Sequence, residues 1–246
     1  MITLSSVVKE FRSEEMITRA LNGIDINIEK GEFLSVMGPS GCGKSTLLNV
    51  IGMLDPLTSG KYQFNGKDIV GMSQKQITKM RNQYLGFIFQ SFNLIDDISV
   101  RENIELPLLY QGMDRAKRDE RVEAVMEKVD IAHRASHFPN QLSGGQQQRV
   151  AVARAVVVEP ELILADEPTG NLDSKNGEQV MALLQSLNKE GTTIVMVTHS
   201  AEDAKYGNRI IKLFDGNIET DNEHQEVSTS EAVESSTAAG KVLNNV

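Results

Sequence analysis

Cysteine occurs once in the chain, at Cys42, so no disulfide can form within it. Nothing approaches the run of about 18 apolar residues that a membrane-spanning helix needs. The longest candidate, Val150–Val158, is broken by Arg154. Basic residues are outnumbered: 25 Lys and Arg stand against 34 Asp and Glu, for a net charge of −9 and a pI near 5.0. That balance excludes a general electrostatic grip on nucleic acid and leaves room only for a local basic patch. The first residues lack a basic segment followed by an apolar one, so no signal peptide is expected. Tryptophan is absent, and only Phe11 and Phe33 supply aromatic rings before residue 38. What remains is 40% hydrophobic and 24% charged. It suits one large cytoplasmic domain, or one domain with a small subdomain.

The most informative stretch is Gly38-Pro-Ser-Gly-Cys-Gly-Lys-Ser45, which fits the phosphate-binding pattern G-x-x-x-x-G-K-[ST]. The apolar run Phe33–Met37 before it reads as a buried strand. Lys44–Leu54 after it reads as a helix with Leu47, Leu48, Ile51 and Leu54 on one face. Strand, loop and helix are the context the motif needs. Gly38, Gly41 and Gly43 leave the backbone N–H groups free to curl around phosphate oxygens, and the helix N-terminus adds positive potential. Lys44 would then reach the β- and γ-phosphates, and the Ser45 hydroxyl would hold Mg²⁺. Cys42 lies inside this loop, where the N–H groups and Lys44 would favour a reactive thiolate that bound phosphates shield.

In chain order, residues 2–11 and 24–28 alternate as strands, with a polar turn at Arg12–Arg19 between them. Phe11 ends the first strand. Its spacing fits a ring that stacks on a base and, equally, an apolar residue at a strand end. A short strand follows at Lys61–Asn65, a polar helix at 73–83, and a strand at Gly86–Phe89 that ends at Gln90. Gln90 is either a satisfied polar residue or a ligand of Mg²⁺ or its water. Residues 97–130 are helix-rich, with Val122, Val125, Met126 and Val129 forming a core stripe. A helical subdomain inserted at about 91–158 is expected.

Leu142-Ser-Gly-Gly-Gln146 opens an apolar-faced helix that runs toward Pro160. Ser143 is a good N-cap. The two glycines cost helix stability in its first turn and make sense where a backbone or phosphate comes close. A plain Ser-Gly turn is the competing reading. Leu162–Glu167 is an apolar strand ending in two acids. Beside a phosphate loop, Asp166 fits a Mg²⁺ acid and Glu167 a group that orients the attacking water. A helix at Asn176–Lys189 faces the core through Val180, Leu183, Leu184 and Leu187. A buried strand, Thr193–Thr198, places His199 at the edge where such sheets bind ligands. Ile210–Phe214, Asp215-Gly216 and Ile218 form a hairpin. Residues 221–246 hold five acids against one lysine and no aromatics, and read as a polar, disordered tail.

Taken in order, these elements resemble the ATP-binding cassette (ABC) family over about residues 1–220. The resemblance implies an α/β P-loop nucleoside-triphosphatase core with an antiparallel β subdomain and an inserted α-helical signature subdomain. It implies that two copies sandwich two ATP molecules head to tail. Matched position by position, Phe11 would stack on adenine, although most members carry Tyr there. Gly38, Ser40, Gly41, Cys42, Gly43, Lys44, Ser45 and Thr46 belong to the phosphate loop. Gln90 would touch Mg²⁺ and the water, and Ser143, Gly144, Gly145 and Gln146 form the signature. Asp166 would hold Mg²⁺, and Glu167 would be the catalytic glutamate. Asp173 would cross the dimer interface, and His199 would contact the γ-phosphate. Phe87–Leu94, Glu102-Asn103, Leu106–Gly112 and Asp166–Asp173 are similar to the macrolide-exporter and lipoprotein-release subgroup.

That subgroup implies an ATPase on the inner face of the membrane that drives a separate permease, with an adaptor beyond it, in export or in force transmission. The apolar residues of the stretch 91–112 (Phe92, Leu94, Ile95, Ile98, Leu106, Leu108, Leu109) would divide between helical core and a groove for the permease. Two other outputs of the same chemistry stay open. One is regulation of an envelope process without transport. The other is a soluble ABC ATPase acting on nucleic acid or translation, against which stand the single cassette and the lack of sustained heptads between Lys44 and Ser143.

Overall fold

The structure is a computed structural model, and it describes residues 1–13 and 16–223. The elements in chain order are β1 (Ile2–Arg12), β2 (Ile17–Ile28), β3 (Phe33–Met37), α1 (Lys44–Ile51), β4 (Ser59–Phe64), β5 (Lys67–Asp68), α2 (Gln74–Tyr84) and β6 (Leu85–Phe89). They continue with α3 (Val100–Tyr110), α4 (Arg115–Lys128), α5 (Gly144–Val156), β7 (Leu162–Asp166), α6 (Ser174–Lys189), β8 (Thr193–Thr198), α7 (Ala201–Ala204), β9 (Arg209–Phe214) and β10 (Asn217–Glu223). Two short 3₁₀ turns, Ala132–Arg134 and Pro139–Gln141, lead into α5.

These strands form two sheets. One is antiparallel, in the order β2-β1-β4-β5. The other runs β10-β9-β3-β8-β7-β6, parallel throughout except for the β9–β10 hairpin. The parallel strands are near-continuous apolar runs because both faces are covered. In β8 the alternation divides two cores. Val195 and Val197 join Leu47 and Ile51 of α1 and the apolar face of the antiparallel sheet, including Ile2, Leu4 and Ile26. Ile194 and Met196 join Val180, Met181 and Leu184 of α6, Val150 of α5, and Ile104 of α3. The molecule is therefore an α/β layering in which α1 lies between the sheets and the helical block backs the parallel sheet.

Some boundaries differ from the pattern read in the sequence. Helix α1 ends at Ile51, since Gly52 closes it and Met53 turns left-handed with φ 55°. Leu54 is consequently exposed rather than in the core. The turn expected at Arg12–Arg19 is shorter, because β1 and β2 stay paired out to Arg12 and Ile17. The Ser13 side chain and backbone close it on Met16. Helix α5 stops at Val156, short of Pro160, and Leu183 of α6 is only half-buried while Met181 is buried. β10 continues through Glu223, past the compositional break at 221, and the rest of the expected tail lies outside the described residues.

Candidate nucleotide site

The register of the parallel sheet brings its C-terminal edge into line. Met37 pairs with Thr198, Asp166 with Val197, and Phe89 with Asp166. The next residue after each strand end is Gly38, His199, Glu167 or Gln90. Four segments far apart in sequence thus meet at one edge, where open α/β sheets bind ligands.

The phosphate loop leaves β3 through Gly38 and enters α1 through Gly43, which adopts φ 107°. A side chain at Gly43 would strike the Ala20 carbonyl, and one at Gly38 would strike Leu213, so the loop lies directly on β2 and β9. Ser40, Gly41 and Ser45 are exposed at its mouth, with Thr46 half-buried behind them. Lys44 is 7% exposed, and its Nζ donates to the carbonyls of Gly38 (2.8 Å) and Pro39 (2.9 Å). Cys42 departs from the sequence expectation. Its side chain is 2% exposed and packs in the core between the sheets, so only its backbone faces the loop. A thiol shielded in this way is not poised for reagents, whatever its neighbours in sequence.

The Ser45 hydroxyl donates to Asp166 Oδ1 at 3.3 Å. Burial pushes the Asp166 carboxyl above its ordinary range, the Ser45 hydrogen bond opposes this, and the Glu167 charge adds to it. Glu167 itself has a left-handed backbone, φ 46°, held by Glu167 N–H to Val197 O (2.9 Å) and by Gly170 N–H to Glu167 O (3.0 Å). Strain of this kind at a sheet edge marks a position the surroundings over-determine. Glu167 Oε2 lies 3.0 Å from Nδ1 of the exposed His199. Both line a cleft of about 520 Å³ together with Thr169, Asp173 and Ser200. Gln90 is half-buried, its main-chain oxygen accepts from Asn171 Nδ2 (2.9 Å), and its side-chain amide lies over Gly170, 2.6 Å from where a Cβ would sit.

The remaining site candidates lie apart from the phosphate loop. Ser143 caps α5, accepting weakly from Gln146 N–H (3.4 Å) while Gln146 Oε1 accepts from Ser143 N–H (3.1 Å). Gly144 has ordinary contacts, but a Cβ on Gly145 would collide with Asn176. That asparagine is tied to Asp173, whose carboxylate caps α6 by accepting from Asn176 N (2.9 Å) and Nδ2 (2.6 Å). Those bonds hold the Asp173 carboxyl below its ordinary range. The second glycine is thus accounted for within the chain, whereas at the first a side chain would meet only ordinary contacts with Leu172, Asn171 and Phe92. Phe11 lies on the antiparallel sheet, 45% exposed, with Lys9 Nζ 4.9 Å from its ring centre.

Two polar side chains on α5 have no warning in the sequence, where they look like ordinary helix residues. Gln148 is fully buried and donates to Pro168 O at 2.6 Å. Arg154 donates to the carbonyls of Phe92 (2.8 Å) and Asn93 (2.5 Å), both left-handed residues in the loop after Gln90. Asn103 is a third case, fully buried and bonded to Ile95, Ile98 and Ser99. The partners of Gln148 and Arg154 are backbone groups 20 to 62 positions away, which no local pattern encodes, whereas Asn103 bonds backbone four to eight positions before it.

A phosphate loop facing strand-end acids on a parallel sheet defines the P-loop nucleotide hydrolases. Comparison with known proteins narrows the class. The family model described as "ABC transporter" matches residues 21–170. The chain is 51% identical over 218 residues to an uncharacterized ABC transporter ATP-binding protein, YknY of Bacillus subtilis, covering 89% of this chain and 95% of that one. It is 47% identical to the macrolide export ATP-binding/permease protein MacB of Azoarcus, covering 90% of this chain but 34% of that protein. A dimeric structure of the ATP-binding cassette MJ0796, in a post-hydrolysis state with ADP and Pi, superposes with a TM-score of 0.85 at 44% identity. That match covers 92% of this chain and 99% of the other. The chain belongs to the ABC transporter family and is an ATP-binding cassette ATPase.

Proposed function

We propose that two copies of this chain bind two ATP molecules between them and drive a separate membrane permease, in export or in force transmission across the envelope. The observation that carries the ATP site is the alignment of Gly38, Gln90, Glu167 and His199 on one sheet edge, with Ser45 beside Asp166. Gly38, Ser40, Gly41, Cys42, Gly43, Lys44, Ser45 and Thr46 receive the phosphates, Cys42 by its backbone alone. The Lys44 ammonium exchanges its two carbonyl partners for phosphate oxygens. The Ser45 hydroxyl and Asp166 carboxylate, with the Gln90 amide oxygen, are the hard oxygen donors that suit Mg²⁺. When bound, that ion supplies positive charge to the phosphates. Glu167 orients the water and takes up its proton, and His199 turns from Glu167 toward the γ-phosphate. Phe11 offers its ring to the adenine.

Support for a shared site comes from the signature. Among the described residues, Ser143, Gly144 and Gln146 make no hydrogen bond to the phosphate loop, and Ser143 is exposed. A second copy would bring its signature and its Asp173 to this chain's ATP, as the dimeric solved relatives suggest. For the permease, Ile95 (46%), Leu109 (45%) and Tyr110 (75%) are the exposed apolar residues of the stretch 91–112. Leu108 is buried, while Phe92, Leu94, Ile98 and Leu106 are half-buried, so the docking surface is narrower than the sequence suggested. No helix among the described residues is long and apolar enough to cross a membrane, so the permease is assigned to another polypeptide or segment. The expected place is the inner face of the membrane, with an adaptor reached through the permease.

The test is to purify the chain from its native membrane and ask what accompanies it. A membrane protein that raises or lowers its ATPase rate supports the reading. An ATPase that purifies alone, with a rate indifferent to membranes, contradicts it.

A further inference from the structure

Glu167 combines two backbone costs. Its φ of 46° is unfavourable for any residue with a Cβ, and it precedes Pro168, which narrows its choices further. Its own N–H and C=O are both bonded. Pro168 has no N–H, so its carbonyl is the one main-chain group through which it can be anchored. That carbonyl is held by Gln148, from the helix that Ser143 caps.

Gln148 is 0% exposed. Because Nε2 must donate to Pro168, the orientation of its amide is settled, and Oε1 is left buried with no partner among the described residues. An unmet buried acceptor is a loss in stability. A methionine of similar length would fill the same space without it, so packing alone does not call for glutamine here.

The geometry points to Gln148 as a positioning residue for hydrolysis: its hydrogen bond to Pro168 fixes the turn that aims the Glu167 carboxylate. This rests on the role proposed for Glu167. It also joins the helix beginning at the signature to the strand-end glutamate of the same chain.

The test uses the full chain and three variants, Gln148→Met, Gln148→Leu and Glu167→Gln, measured for kcat, KM, ATP affinity, melting temperature and amide exchange. Two apolar shapes are used so that a misfit of either one does not decide the result. We expect the Gln148 variants to melt close to the wild type, because the unmet Oε1 is removed while the Pro168 carbonyl loses its donor, and to bind ATP within about twofold, while kcat falls roughly 10- to 100-fold, the range for a displaced catalytic group. The Gly170 amide, which bonds to Glu167 O, should exchange faster. In the Glu167→Gln background, Gln148→Met should lower turnover no further. An unchanged kcat in both Gln148 variants, or an equal further loss on top of Glu167→Gln, overturns the inference and leaves the role of Glu167 standing. A fall in ATP affinity and melting temperature together with kcat shows a structural role and also overturns it. Normal hydrolysis by Glu167→Gln removes the underlying reading itself, and with it this inference.

Discussion

The sheet edge and the signature end of α5, the two regions to which the proposed function gives phosphate contacts, are prepared in opposite ways. At the edge, the groups occupy one another: Lys44 holds two carbonyls, Ser45 holds Asp166, and His199 holds Glu167. A ligand there has to displace existing bonds. At the signature, the side chains of Ser143 and Gln146 bond only each other's backbone N–H among the described residues, at 3.4 and 3.1 Å, and Ser143 stands in solvent. A ligand there displaces little and gains an exposed helix N-terminus. On the proposed reading, the first region would receive the nucleotide within one chain, whereas the second would act only when a partner brings a nucleotide to it.

Changing the edge alone should give the largest effect. Glu167→Gln should slow hydrolysis roughly 10²- to 10⁴-fold, the usual range for a positioned acid–base group, while ATP is still bound. Light scattering with ATP should then show a species of doubled mass. Turnover close to that of the wild type would take Glu167 out of the chemistry.

Mixing tests whether the two regions serve one ATP from different copies. Ser143→Arg chains and Lys44→Ala chains should each fail to dimerise with ATP, and their mixture should recover part of the signal through one intact composite site. No recovery, with both variants folded, would place signature and phosphate loop in separate functions.

A smaller effect on the isolated chain is expected from the third surface. Ile95→Asp, Leu109→Asp and Tyr110→Asp alter exposed side chains, for which stability changes stay within about 0.5 kcal/mol. Basal ATPase should remain within about twofold of the wild type, as exposed positions outside the site allow. Any membrane protein that accompanies the wild type should be lost. Full retention of that partner by all three variants would move docking elsewhere.

Asp166→Asn should give the least change in stability, and its sign is informative. Burial raises the Asp166 carboxyl above its ordinary value near 3.8. The folded state therefore holds that proton more tightly than the unfolded state does, and the ionised form costs stability. That cost is full above the raised value and vanishes as pH falls below 3.8. The variant should melt above the wild type at neutral pH without nucleotide, with the gain closing in acid. A lower melting temperature at neutral pH would show that the Ser45 bond outweighs burial.

The phosphate loop, the strand-end acids and the capped signature helix were legible because each is local: a spacing, an apolar run, a cap. Cys42 misled because sequence proximity to Lys44 says nothing about which way a side chain points in a turning loop. Leu54 misled because α1 stops at Gly52, one turn before the apolar period does. The stretch 91–112 could be read as partly apolar, but its division into core and surface depends on how α3 packs against α4 and α5. Gln148 and Arg154 were invisible for a different reason. Their partners are carbonyls, and every residue has one.

The hairpin turn between β9 and β10 has a mechanical consequence. Gly216 N–H bonds to Cys42 O at 3.0 Å, and Gly216 O accepts from Asn22 N–H at 2.8 Å. The phosphate loop is thereby stitched to the last strand pair of the described chain, and β9 lies beside β3, the strand that feeds the loop. A pull on β10 is borne first by its ladder with β9 and the Arg209–Asp221 pair, and then by these stitches rather than by the helical block. Tension that passed the ladder would arrive at the phosphate loop through this turn, which makes the hairpin a tether as well as an edge.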